Sequence, residues 1–280
     1  PPPTEGPTMT SPSSPGPRRT ALVTGASSGI GAAVAATLVA RGHHVFGTSR
    51  DPRRITDPVP GVEYLALDLT DEASVEACAE AVGTVDVLVN NAGESQNGPL
   101  EELPMEAVER VFRLNVFGAV RLTQLLLPGM RARGYGRVVM VGSMQASFPL
   151  AYRSSYGASK AAIKGFADAV RGEVSPFGIG VTTVEPGSIN TGISERRTQY
   201  VAEGSPFASE YRTVADTLNA NEAGGIPAQR VAATVVRAIE ARAPRPLYAV
   251  GSNAPLVFAL RRLLPRSVML RLVARKHGLR

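Results

Sequence analysis

Apolar residues in this chain gather in short runs, separated by longer stretches where they recur every three or four positions. Runs at 20–24, 44–49, 62–67, 85–89, 137–141, 180–184 and 247–250 have the length and largely apolar character of strands buried on both faces. Between them the spacing predicts helices at 30–41, 71–82 and 104–127, another carrying positions 156 and 160, and one at 227–241. Thr70 is placed to cap the second helix, with Asp71 and Glu72 at its positive end. Pro104 suits the first turn of the third helix, and Pro128-Gly129 is expected to kink or end it. Strands alternating with helices predict an α/β fold whose parallel sheet is covered on both faces. Right-handed crossovers make it a doubly wound sheet of about seven strands.

Three stretches depart from the alternation. Residues 1–17 are dominated by Pro, Ser, Thr and Gly and read as a disordered leader, leaving 18–280 as a single domain. Within about 188–226 the pattern breaks down, and at 194–221 Tyr200, Phe207 and Tyr211 stand among charges with Gly204 and Pro206. A segment of that length reads as a lid over a site. At about 254–278, leucines and valines interleave with arginines and predict two amphipathic helices parted by Pro265.

Composition narrows the field. The 280 residues are 44% hydrophobic and 19% charged, which suffices for a sizeable buried core. A single cysteine, Cys78, excludes an intrachain disulfide, suits a reducing cytoplasm and falls in an alanine-rich helix as a small core residue. His43, His44 and His277 have no metal-ligand spacing, so no metal is expected. No run of about 18 apolar residues predicts a membrane span. The net charge of +6 is concentrated in the tail, where Arg261, Arg262, Arg266, Arg271, Arg275, Lys276 and Arg280 meet no acid. The remainder is near neutral, which argues against nucleic acid as a partner.

The chemistry begins at Tyr156-Gly157-Ala158-Ser159-Lys160. Residues four apart share a helix face, and an ammonium beside a phenol favours the phenolate, giving a usable proton donor and acceptor. Alone, the motif also fits an ordinary exposed helix face. The first strand ends in Thr24-Gly25-Ala26-Ser27-Ser28-Gly29-Ile30-Gly31 and runs into a helix, where glycines let backbone amides approach a pyrophosphate. About 20 residues later the second strand ends in Thr48-Ser49-Arg50, with a guanidinium suited to a 2′-phosphate, although Asp51 follows directly. This favours NADP(H), with NAD(H) as the alternative.

With Asn90-Asn91-Ala92-Gly93 after the fourth strand, Ser143 after the fifth, and Pro186, Gly187 and Thr191 after the sixth, the chain resembles the short-chain dehydrogenase/reductase family over about 19–250. The resemblance implies a Rossmann-type domain, with Asn115, Ser143, Tyr156 and Lys160 as catalytic residues. Ser143 would hold a carbonyl oxygen near the Tyr156 hydroxyl, Lys160 would hold the nicotinamide ribose, and Asn115 would support a water in a proton relay. It implies cofactor contacts from Thr24, Gly25, Ser27, Ser28, Gly29, Ile30, Gly31, Arg50, Asp68, Leu69, Asn91, Ala92, Gly93, Tyr156, Lys160, Pro186, Gly187, Ile189 and Thr191. The implied activity is hydride transfer between NADP(H) and the carbonyl or alcohol of a small molecule. Met144, Gln145, Phe148, Pro149, Leu150 and Tyr152 are placed to line a pocket for a hydrophobic substrate. Non-redox elimination or cyclisation, or a cofactor-binding regulatory role, remain as alternatives. A homodimer or homotetramer is implied. The tail helices are read by analogy as covering the substrate mouth or a subunit interface, in preference to peripheral contact with anionic lipid.

Overall fold

The computed structural model describes residues 17–192 and 196–279, so the expected leader, apart from Pro17, and Ser194 at the start of the expected lid stretch lie outside the described residues. The first half runs β1 (Thr20–Val23), α1 (Gly29–Ala40), β2 (His44–Ser49), β3 (Val62–Ala66), α2 (Glu72–Val82), β4 (Val87–Asn90), β5 (Gln96–Asn97), α3 (Met105–Phe112) and α4 (Gly118–Arg133). It continues with β6 (Gly136–Val141), α5 (Ser154–Val174), β7 (Ile179–Pro186), β8 (Ile189–Asn190), β9 (Thr198–Gln199) and α6 (Ala208–Ala223). Last come β10 (Ile226–Pro227), α7 (Ala228–Glu240), β11 (Leu247–Val250), α8 (Ala254–Leu263) and α9 (Arg266–Lys276).

Seven strands form one parallel sheet in the order β11-β7-β6-β4-β1-β2-β3. The order reverses between β1 and β4, and in such sheets the crevice beyond the strands' carboxyl ends at that point receives ligands. One face is covered by α1 and α7, burying Val34, Leu38, Val231 and Val235 against Val45, Val89 and Val184. The other is covered by α2, α4 and α5, with Val75, Cys78, Leu122, Met130 and Ile163 against Leu88, Val138 and Val181. Both faces are dry, which is why the strands read as continuous apolar runs. No described helix is long and apolar enough to cross a membrane.

Local departures have physical causes. The cap of α2 is Asp71, whose carboxylate accepts from the Ala73 N–H at 3.1 Å; Thr70 instead donates to Asp68. The helix expected at 104–127 is broken into α3 and α4 by a π-helical stretch, Arg113–Phe117, and then passes through Pro128 to Arg133. Fully buried Met130 anchors that last turn, and Gly134, at φ +65°, ends it in the left-handed conformation. Burial here outweighs the hydrogen bond that proline removes. The expected lid contains a regular helix, α6, buried through Tyr211, Val214, Ala215 and Leu218.

Candidate active site

Most of the residues singled out in the sequence converge on one cavity of about 630 Å³ beyond the carboxyl ends of the strands. Its wall begins at the turn between β1 and α1. Gly25 and Gly29 there have φ of +66° and +57°, where a side chain is strained. A Cβ on Gly31 would stand 2.2 Å from the Gly25 carbonyl oxygen, so only glycine lets the helix start this close to the turn. Ser28 caps α1 without a side-chain bond to the helix's own amides, which leaves those of the first turn for a phosphate group. Thr24 is fully buried beneath the turn, its Oγ1 accepting from the Asn91 and Ala92 N–H groups at 2.9 and 3.0 Å. The turn and the end of β4 are thereby tied together.

Ser27, Ser28, Gly29, Ile30, Arg50, Asp68, Leu69, Asn91, Ala92, Gly93, Pro186, Gly187, Ile189 and Thr191 all line this cavity with Gly25. Thr24, Gly31 and Asn115, expected at the cofactor or the reacting centre, do not line it; they stand behind the wall. Arg50 is exposed, whereas its neighbour Asp51 is bonded to Arg53. That bond, with the charge of Arg53 and Arg54, holds the Asp51 carboxyl below its ordinary value. Asp51 is therefore engaged away from Arg50. Asp68 also stays below the usual carboxylate range, chiefly through the Thr70 hydroxyl. The phosphate-ready turn and the close glycines fit the pyrophosphate of a dinucleotide, with Arg50 at the adjoining end.

At the other end stand Ser143, Tyr156 and Lys160. Ser143 follows β6 and accepts from the Gln145 N–H at 3.2 Å, which fixes its side chain. Tyr156 and Lys160 lie on the buried face of α5, with the Lys160 Nζ 5.9 Å from the phenol ring centre. The Lys160 Nζ donates to the Val141 carbonyl at 3.0 Å, so the ammonium is held at the end of β6. Asn115 lies in the π-helical stretch, 3% exposed. Its Oδ1 accepts from the Glu94 N–H at 2.9 Å, and its Nδ2 donates to the Glu94 carbonyl and to Ser159 Oγ, each at 3.1 Å. It locks the loop after Gly93 to the helix that carries Tyr156.

Of the expected pocket residues, Met144, Gln145, Phe148 and Leu150 line the cavity, whereas Pro149 and Tyr152 do not. Tyr152 turns toward α6, donating to Glu210 at 2.9 Å and meeting the Tyr211 ring edge-on. Partial burial and the Glu210 carboxylate push its phenol up to about 12. The tail closes over the same space, with Val257, Val273, Lys276 and His277 on the cavity wall.

Sequence reasoning overlooked Arg153, Arg196 and Arg197, all of which line the cavity. Arg153 stacks on the Tyr156 ring at 4.3 Å. Its position three residues before Tyr156 was the available signal, since such pairs share a helix face. Arg196 reaches across the cleft to Ser28 at 3.1 Å. Nothing in its local pattern marks that contact.

Comparison with known proteins agrees with this geometry. A family model described as short chain dehydrogenase matches residues 19–201. A 3-ketodihydrosphingosine reductase of Bacteroides thetaiotaomicron is 32% identical over 244 residues, covering 85% of this chain and 90% of that protein. A crystal structure of a short-chain dehydrogenase from Streptomyces avermitilis superposes with a TM-score of 0.79 at 35% identity, covering 94% of this chain and 99% of the other. A short chain dehydrogenase from Burkholderia cenocepacia, solved in complex with NADP, superposes at 0.74 with 25% identity, over 91% and 97% of the two chains.

Proposed function

This chain belongs to the short-chain dehydrogenase/reductase family and is an NAD(P)-dependent oxidoreductase, and from that premise we propose that it uses NADP(H) to interconvert the carbonyl and alcohol of a fairly hydrophobic small molecule. The observation that carries this reading is the convergence of Ser143, Tyr156 and Lys160 on a cavity whose far end presents the glycine turn and Arg50. When bound, the nicotinamide supplies or accepts the hydride. The Ser143 hydroxyl donates a hydrogen bond to the carbonyl oxygen. The Tyr156 hydroxyl gives that oxygen its proton during reduction and recovers it during oxidation. Lys160, fixed by the Val141 carbonyl beside the phenol ring, would hold the ribose hydroxyls of the cofactor. Asn115 positions the loop at Glu94 and, through Ser159, the helix below Tyr156.

The choice of NADP(H) is supported by Arg50, by the engagement of Asp51 with Arg53, and by the Burkholderia relative, which was solved with NADP. An apolar substrate is supported by Phe148, Leu150, Leu218, Val257 and Val273 on the cavity wall. The Bacteroides relative is named for the reduction of a ketodihydrosphingosine. A panel of ketones, aldehydes and alcohols, each offered with NADPH or NADH or their oxidised forms, tests the reading by the absorbance of reduced nicotinamide. Turnover is expected to be fastest with the phosphorylated cofactor and apolar substrates. Substrate consumed with no change in nicotinamide would favour elimination or cyclisation instead.

A further inference from the structure

We propose that the substrate of this site carries an oxyanion near its reacting carbonyl, and that Arg153 receives it. The inference rests on the carbonyl oxidoreductase reading and adds a class of substrate to it: an amphiphile with an apolar body and a carboxylate, sulfonate or phosphate group. Arg153 is 4% exposed, at the start of α5 on the cavity wall. Its Nη1 donates to Asn97 Oδ1 at 2.7 Å and its Nε to Gln145 Oε1 at 3.1 Å, while the guanidinium lies on the Tyr156 ring. Among the described residues it pairs with no carboxylate. Its Nη2 makes no hydrogen bond to them.

Arg197, 7% exposed on the same wall, bonds Ser95 and Asn219 and pairs with Glu222. Glu222 therefore neutralises Arg197 and leaves Arg153 without a paired carboxylate, and Lys276 and His277 line the same cavity. The imidazole of His277 is held below its ordinary value, first by burial and also by the positive charges of Lys276 and Arg153. A buried cation with no counter-charge is unfavourable unless something supplies one. At Arg153 two nitrogens are fixed by neutral amides, so the guanidinium is preorganised and loses little freedom on taking an anion. The same cavity offers Phe148, Leu150 and Val273 to an alkyl chain. Because Arg153 lies on the ring of Tyr156, the oxyanion sits only a few bonds from the carbonyl carbon that Tyr156 serves.

Binding calorimetry on the full chain saturated with NADP⁺ separates this from a merely apolar pocket, using octanoate, 1-octanol and octyltrimethylammonium as probes. Octanoate is expected to bind at least about tenfold more tightly than octanol, the range of one charge-assisted hydrogen bond, and the ammonium compound more weakly still. Arg153→Gln should abolish the octanoate advantage, and Arg153→Lys should retain part of it. Equal binding of octanoate and octanol to the unaltered protein overturns the proposal. So does an octanoate advantage that survives Arg153→Gln in a protein with native circular dichroism. Should Arg153→Gln not fold, the comparison of probes on the unaltered chain decides alone. The readout is heat rather than turnover, so octanoate selectivity without reduction of any carbonyl would defeat the oxidoreductase reading and leave the anion site standing.

Discussion

Tyr156 is 8% exposed, and its hydroxyl is the group that the proposed chemistry needs most. Tyr156→Phe removes that hydroxyl and leaves the ring under Arg153. It should lower kcat by about 10²- to 10⁴-fold, the usual worth of a positioned acid or base, with the affinity for cofactor little changed in a fluorescence titration. Near-normal turnover would sink the acid–base role. Arg50→Asp exchanges a hydrogen-bond donor suited to a phosphate for a carboxylate. NADPH should then lose about 10- to 100-fold in affinity relative to NADH, in line with the loss of a charge-assisted hydrogen bond. An unchanged preference would remove Arg50 as the selector. Cys78 has a different fate: burial pushes its thiol up to about 11, so at pH 8 it is protonated and shielded. Iodoacetamide should label it only as fast as the protein unfolds.

At the scale of elements, the glycine turn is the tightest constraint. Gly31→Ala places a methyl against the Gly25 carbonyl oxygen and near Asn91. We expect a melting temperature lowered by an overpacking cost of about 1–3 kcal/mol, with weakened cofactor affinity because α1 must move away from the turn. Leu122→Ala in α4 deletes a fully buried side chain in the face under β4 and β6 and should cost about 2–5 kcal/mol by denaturant titration. The contrast between α4 and α6 shows where local pattern is a poor guide. Pro128 is a strong local stop signal, yet the helix passes it because Met130 is buried beyond it. In α6 the buried set Tyr211, Val214, Ala215 and Leu218 follows helical spacing, but the surrounding charges and the irregular chain before it obscured the period.

For the molecule as a whole, the tail joins the site to the surface. Met269, Phe258 and Leu260 pack with Met144 and Phe148, and Val273 also reaches Leu150 and Leu218. Removing the chain beyond Asn253 opens one wall of the cavity. KM for long-chain substrates should rise, and exposed Phe148 should make the protein bind a hydrophobic dye. A truncation that alters only binding to anionic vesicles would favour the lipid-contact reading of the tail, to which the exposed Leu256 and Leu263 would then belong. The succession of strands and helices, the glycine turn, and the spacing of Asn115, Ser143, Tyr156 and Lys160 were legible in the sequence, because each depends on short-range periodicity or on a compact motif. Tertiary structure alone decided that Asn115 faces Glu94 and Ser159, that α9 walls the cavity, that Arg153 lies on the Tyr156 ring, and that Glu222 pairs with Arg197. Most of those contacts join residues far apart in the chain, and the charge balance of a buried group is set by the neighbours that packing brings to it.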